Sequence, residues 1–293
     1  MHRSKIEWVL NPDNKTLGWV WNPITGCLNH VDGLCKGGGF PCYAYRVAHG
    51  RLKQRYITNH NILPAFGSEG AFADPFYPRF WEERLDQIWS LARSKHAKAR
   101  GIFLCDMSDL FGIGISDEWI KSVLEAVKHA SPHRFYLLTK QAARLPQFSP
   151  FPDNAWMGVT ATNTDMLMNA INCLEEVQAK IKYLSLEPLL SWADTSKWRY
   201  PLTDSLKAVN WIIIGACTGT YTDLISLQQR YSALELRRLG PNRYVAFPPP
   251  AWVRKIITAA DAANIPVFIK DNILNSAQGD YRLTEGRRQF PNK

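Results

Sequence analysis

The run GIFLCDMSDLFGIGISDEWIKSVLEAVKHASPHRFYLLTK, residues 101–140, carries the signal that decides the fold. Gly101 to Cys105 is a short β-rich run, and a polar loop containing glycine follows it. Asp117 to Ala130 is an amphipathic helical stretch that Ser116 or Asp117 can cap, and Arg134 to Leu138 is the next strand. Strand, helix and strand in succession imply a parallel βα unit. The rhythm continues outward. Strands are expected at Ala155 to Val159, Ile181 to Leu186, Asn210 to Ile214 and Ile265 to Ile269, with Leu17 to Asn22 as a first strand. Helices are expected at Asp165 to Ala179 and, just after Pro248, Pro249 and Pro250, at Ala251 to Ala263. Six or seven such units predict an α/β protein, a partial or complete TIM-type (β/α) barrel of parallel strands. A doubly wound open sheet is the alternative.

With 293 residues, 46% hydrophobic and 21% charged, the chain can bury a large core. No linker rich in glycine, serine or proline divides it, and residues 1–293 read as a single barrel domain. No apolar run approaches the ~20 residues of a membrane span. Met1 to Trp8 is polar and charged, with no signal-peptide core, so a cytoplasmic location is expected. Thiols stay reduced there, which makes the six cysteines ligands and core residues rather than a disulfide framework. The net charge of +9 raises a nucleic-acid reading, with basic concentrations at Arg46 to Arg55, Arg93 to Arg100 and Arg287 to Lys293. Eleven tryptophans and eleven tyrosines offer stacking surfaces, although aromatics this abundant mostly serve a core.

After the first strand comes ITGCLNHVDGLCKGGGFPCYAYR, residues 24–46, with Cys27, Cys35 and Cys42 on one glycine-rich loop. Glycine lets the backbone fold tightly enough for several sulfurs to converge on an iron-sulfur cluster or a zinc ion. A structural zinc closes with four protein ligands, and His30 or His49 would complete a Cys3His site in a nucleic-acid-binding module. A four-iron cluster on three thiolates leaves one iron open instead. In a barrel, chemistry gathers at the C-terminal ends of the strands, where the cysteine loop falls. Asp106, Ser108, Asp109, Thr139, Lys140, Thr160, Glu187, Gly215 to Gly219 and Lys270 all follow strands and belong to the same expected edge.

The motifs SKIEW (residues 4–8), WNPITGC (21–27), CYAYR (42–46), MSDLFG (107–112), DEWI (117–120), LLTK (137–140), LSLEPLL (184–190), WIIIG (211–215) and VFIK (267–270) run almost end to end. In this order and spacing the chain resembles a phage- and prokaryote-associated family of three-cysteine proteins grouped with the radical S-adenosylmethionine (SAM) enzymes. The resemblance implies a partial TIM-type barrel with a [4Fe-4S] cluster on Cys27, Cys35 and Cys42. Its open iron would bind the amino and carboxylate groups of SAM, and reductive cleavage would yield methionine and a 5′-deoxyadenosyl radical. The electron would come from a reductant such as ferredoxin or flavodoxin. A nucleic-acid base or nucleotide is the substrate this reading leans towards, against a small molecule. A barrel that keeps the cluster without cleaving SAM is a further alternative.

The same resemblance proposes roles for single residues. Glu187 would accept hydrogen bonds from SAM or salt-bridge Lys140. Ser108 and Asp109 would meet the cofactor's polar groups, and Lys140 and Lys270 its carboxylate or an anionic substrate. Thr160 is a further cofactor contact, and Tyr43 would cover the cluster or touch adenine. This chain departs from the family in two places. Seven residues separate Cys27 from Cys35 and six separate Cys35 from Cys42, where the superfamily spacing is three and two. Gly215-Ala216-Cys217-Thr218-Gly219 stands where many members have Gly-Gly-Glu-Ser-Gly, so Cys217 becomes a candidate hydrogen-atom donor. Residues 220–247, longer than usual, are expected to form an insertion or lid.

Overall fold

The computed structural model describes residues 1–31, 33–63, 70–94, 96–274 and 287–291, so Lys95 and Lys293 of the basic concentrations lie outside the described residues. Its centre is an eight-stranded sheet. We number its strands β1 (His2–Arg3), β2 (Trp19–Trp21), β3 (Gly101–Leu104), β4 (Arg134–Thr139), β5 (Ala155–Thr160), β6 (Ile181–Leu186), β7 (Trp211–Ile214) and β8 (Val267–Ile269). They lie side by side in chain order. A doubly wound sheet reverses its order at a switch point, and this one does not. It is the α/β, TIM-type succession read from the sequence. The helices used below are α1 (Tyr43–His49), α2 (Lys53–Ile57), α3 (Asp117–His129), α4 (Thr164–Glu175), α5 (Tyr221–Arg230) and α6 (Pro250–Ala262). No helix among the described residues is long and apolar enough to cross a membrane.

The chain divides into two compact units. The first comprises residues 1–37, 42–157 and 177–180, and the second comprises residues 38–41, 158–176 and 181–293.

In the first unit β2 runs parallel to β3, with Trp19 opposite Ile102 and Trp21 opposite Leu104, and β3 runs parallel to β4. Trp8 sets its ring edge-on to Phe103 and Tyr136 at 5.2 and 5.8 Å, building an aromatic core over these strands. The backbones approach so closely there that a Cβ on Gly101 would stand 1.9 Å from the carbonyl oxygen of Leu10. Helix α3 begins where Ser116 Oγ accepts the amide of Trp119 at 3.2 Å, a cap that contributes about 1 kcal/mol. It buries Trp119, Ile120, Val123, Ala126 and Val127, one face at helical spacing.

In the second unit β6, β7 and β8 are parallel neighbours, with Tyr183 opposite Trp211 and Ile212 opposite Val267. Asn163 caps α4 through the amide of Met166 at 2.8 Å. Residues of the 220–247 segment form α5 and two strands, Glu235–Gly240 and Arg243–Phe247; the latter also pairs with Cys217–Gly219 in a separate antiparallel sheet. Thr220 and Asp223 form a reciprocal capping box that starts α5. Leu224 and Leu227 on that helix pack with Leu190, Cys217, Leu234 and Ala246.

Candidate functional site

In the first unit the cysteine loop leaves β2 and is pinned at once. Gly26 has φ of +84° and lies so close to the Tyr77 carbonyl oxygen that a Cβ would stand 2.3 Å from it, so only glycine fits. Its amide donates to Met107 O at 2.9 Å, its carbonyl accepts the Ser108 hydroxyl at 2.6 Å, and the amide of Cys27 donates to Phe76 O at 2.8 Å. Beyond it, His30 pairs with Cys35 and Val31 with Leu34 in a short antiparallel turn. The amide of Lys36 closes that turn onto Asn29 O at 2.7 Å, and the amide of Cys42 reaches Gly33 O at 2.8 Å. Ties of this kind fix the path of the loop that carries the three cysteines.

All three cysteines are free thiols. Cys27 Sγ accepts the amide of Asn29 at 3.3 Å, and Cys42 Sγ caps α1 by accepting the amide of Tyr45 at 3.4 Å. Burial pushes the Cys27 thiol up to about 12, with the charge of Asp109 adding to the rise, and burial likewise raises Cys35. Lys140 responds to the whole group. Desolvation alone would lower its pKa, yet the electrostatic influence of Cys35, Asp109, Cys27 and Cys42 raises it. Its side chain passes Gly37, with Cβ 3.6 Å from where a Cβ on that glycine would stand. Among the described residues, no group of three or more His, Cys, Asp or Glu side chains is arranged to hold a single metal ion.

Asp109 and Ser108 organise loops. The Asp109 carboxylate accepts the amide of Lys140 at 2.9 Å and that of Phe111 at 3.1 Å, tying the segment after β3 to the end of β4. Tyr43 is 53% exposed, just past Cys42. The histidines of the zinc alternative have other partners. His30 Nδ1 meets the carbonyl of Cys27 and its ring packs on Tyr45 and Phe76, while His49 meets Tyr45 O at 3.0 Å and Asp74 at 3.6 Å.

One group in this loop was missed from the sequence. Asn29 is 4% exposed, and neither its Nδ2 nor its Oδ1 has a hydrogen-bond partner. Between two cysteines it reads as an ordinary polar loop residue, and nothing local announces its burial.

In the second unit Thr160 is buried at the end of β5. Glu187, just past β6, forms an ion pair with Lys270, just past β8. Gly215 makes the room, since a Cβ there would stand 3.0 Å from Glu187 Cγ and 3.0 Å from Lys270 Cδ. Cys217 is buried in the leucine cluster beneath α5. Burial, then the charges of Glu187 and Asp223, push its thiol up to about 12, so it keeps its hydrogen at neutral pH.

Compared with known proteins, residues 3–235 match the family model described as "Protein of unknown function (DUF5131)". No curated protein matches the chain. Among solved structures it is similar to spore photoproduct lyase complexed with dinucleoside spore photoproduct, at 12% identity and a TM-score of 0.47, covering 84% of this chain and 74% of that one. It is also similar to a mutant of that lyase with bound AdoMet and dinucleoside spore photoproduct, at 11% identity and a TM-score of 0.42, covering 71% and 72%.

Proposed function

We propose that this chain, which belongs to the DUF5131 family of proteins of unknown function, carries a [4Fe-4S] cluster on Cys27, Cys35 and Cys42 and acts as a radical SAM enzyme. The observation that carries the reading is the presence of three free thiols on one loop that backbone hydrogen bonds pin to the segments around Phe76 and Met107. The donor set fits the cluster in three respects. It is all sulfur, and two of the sulfurs already accept backbone amides, the bonds that tune such clusters. Asn29 leaves a buried amide with both polar atoms unsatisfied inside the same loop. The ammonium of Lys140 supplies positive charge against the thiolates.

When bound, the cluster supplies the electron, received from a ferredoxin or flavodoxin, that cleaves SAM and starts radical chemistry on a nucleic-acid base or nucleotide. The chain's own residues do the positioning. Ser108 and Asp109 hold Cys27 and Lys140 in register, and Lys140 offers its ammonium to the cofactor carboxylate. Tyr43 covers the loop from its exposed side. In the second unit Thr160, Glu187 and Lys270 are polar groups offered to cofactor or substrate. Cys217, a protonated thiol, is a hydrogen-atom donor in this reading, and residues 220–247 shape the substrate site.

Anaerobic reconstitution tests the reading. The expected product is brown and holds about four irons and four sulfides per chain. Replacing Cys27, Cys35 or Cys42 by alanine should abolish the colour. Stoichiometric zinc without iron would give the Cys3His alternative instead, and a loaded cluster that never cleaves SAM under reduction would leave only the cluster.

A further inference from the structure

Four residues at four-residue spacing, Tyr43, Val47, Arg51 and Arg55, follow the cysteine loop along α1 and into α2, and all of them line one cavity of the first unit, about 420 Å³ in volume. That volume suits one small ligand. Arg84 lines the same cavity, with its guanidinium stacked 3.9 Å over Trp81 and donating to Asn22 O at 2.6 Å. Arg51 and Arg55 make no ion pair among the described residues. Burial and then the nearby charge of Arg55 lower the pKa of Arg84, the mark of like charges held together in one space. The acid on the cavity wall is Asp106, half-buried, bonded to Asn22 Nδ2 at 2.6 Å and raised by desolvation. Three guanidiniums therefore face one carboxyl that burial biases towards its neutral form. Such a surplus calls for an anion that takes planar, forked donors, which is phosphate chemistry. The exposed ring of Tyr43 lines the same cavity and offers a face to a base, while buried Tyr56 closes the wall behind it. Tyr56 packs with Met107, and both Cys27 and Cys42 lie against that cluster, so the cavity and the cysteine loop share a wall.

We propose that this cavity is a nucleotide site, taking one phosphorylated nucleoside with its phosphate on Arg51, Arg55 and Arg84 and its base against Tyr43. The assignment deepens the radical-enzyme reading and rests on it for the link between the bound nucleotide and chemistry, though not for binding itself. The bound species is a free nucleotide or one residue of a single strand, which share this phosphate-and-base chemistry.

The test is calorimetry and fluorescence anisotropy on the full-length chain, with and without reconstituted cluster. The probes are the four 2′-deoxynucleoside 5′-monophosphates, the matching nucleosides, inorganic phosphate and a labelled single-stranded oligonucleotide. At least one monophosphate or the oligonucleotide should bind, more tightly than nucleoside or phosphate alone. The double replacement Arg51→Gln with Arg55→Gln, at exposed positions, should weaken that binding about tenfold or more, as loss of charged hydrogen bonds requires. Tighter binding of the oligonucleotide assigns a strand, tighter binding of a monophosphate a free nucleotide, and either supports the site. Binding unaltered in the double variant, or no binding of any nucleotide to the wild-type chain, overturns it. Iron content is read separately, so a chain that takes up iron but no nucleotide defeats this proposal alone, and one that binds nucleotide without iron defeats only the radical reading.

Discussion

Asn29 carries a cost that the rest of its loop does not explain. A buried amide with neither polar atom partnered destabilises a fold by about 1–3 kcal/mol, and here both atoms are orphaned. Asn29→Leu is therefore expected to raise the urea midpoint of the cluster-free chain while lowering the iron it retains after reconstitution. A fall in both quantities would make the amide a structural residue and remove it from the cluster argument. Cys217 permits a sharper experiment. Its thiol is raised to about 12, so the thiolate becomes populated only as pH climbs towards that value. Iodoacetamide at pH 8 should leave it unlabelled in the native chain and label it fully in urea. Prompt native labelling would show a reactive thiolate and end its candidacy as a thiol that keeps its hydrogen. Neither burial was readable beforehand: Asn29 is plain in sequence, and Cys217 stands out there only by its place in the Gly215 to Gly219 word.

At the scale of elements, the cysteine loop depends on a neighbour that carries no ligand. Arg79 is fully buried and donates to five backbone carbonyls, those of Asn59, Ala71, Phe72, Asp74 and Tyr77, at 2.7 to 3.3 Å. It thereby fixes the segment whose Phe76 carbonyl holds Cys27. Arg79→Gln should cost at least ~3 kcal/mol in urea unfolding, because several charge-assisted bonds are lost together. Iron uptake should fall with it, and Arg79→Lys should be intermediate, since a lysine cannot fork. A lysine variant that equals wild type in stability and iron would show that the fork is dispensable. Helix ends show how far local signals reach. The starts of α3 and α6 fell within a residue of expectation because caps and prolines act locally. Helix α4 was expected to reach Ala179 but stops at Glu175. There the amide of Gln178 donates to Ser149 Oγ and its carbonyl accepts from Phe151, and these distant partners draw the chain out of the helix.

For the molecule as a whole, the sheet tolerates little added volume. A Cβ on Gly158 of β5 would stand 2.2 Å from the ring of Tyr183, which is fully buried against Trp211. Gly158→Ala should destabilise the chain by about 1–3 kcal/mol through overpacking, lowering the urea midpoint. An unchanged midpoint would mean the ring can move aside. The sequence by itself determined the succession of parallel strands and helices, because hydrophobic runs, caps and prolines are written within a few residues of one another. It also determined that Cys27, Cys35 and Cys42 share a loop. Tertiary structure alone decided that Glu187 pairs with Lys270, that Asn29 is buried without partners, and that Arg84 meets Arg51 and Arg55 across one cavity. These are contacts between residues far apart in the chain, or a burial that only packing creates, and no local pattern encodes either.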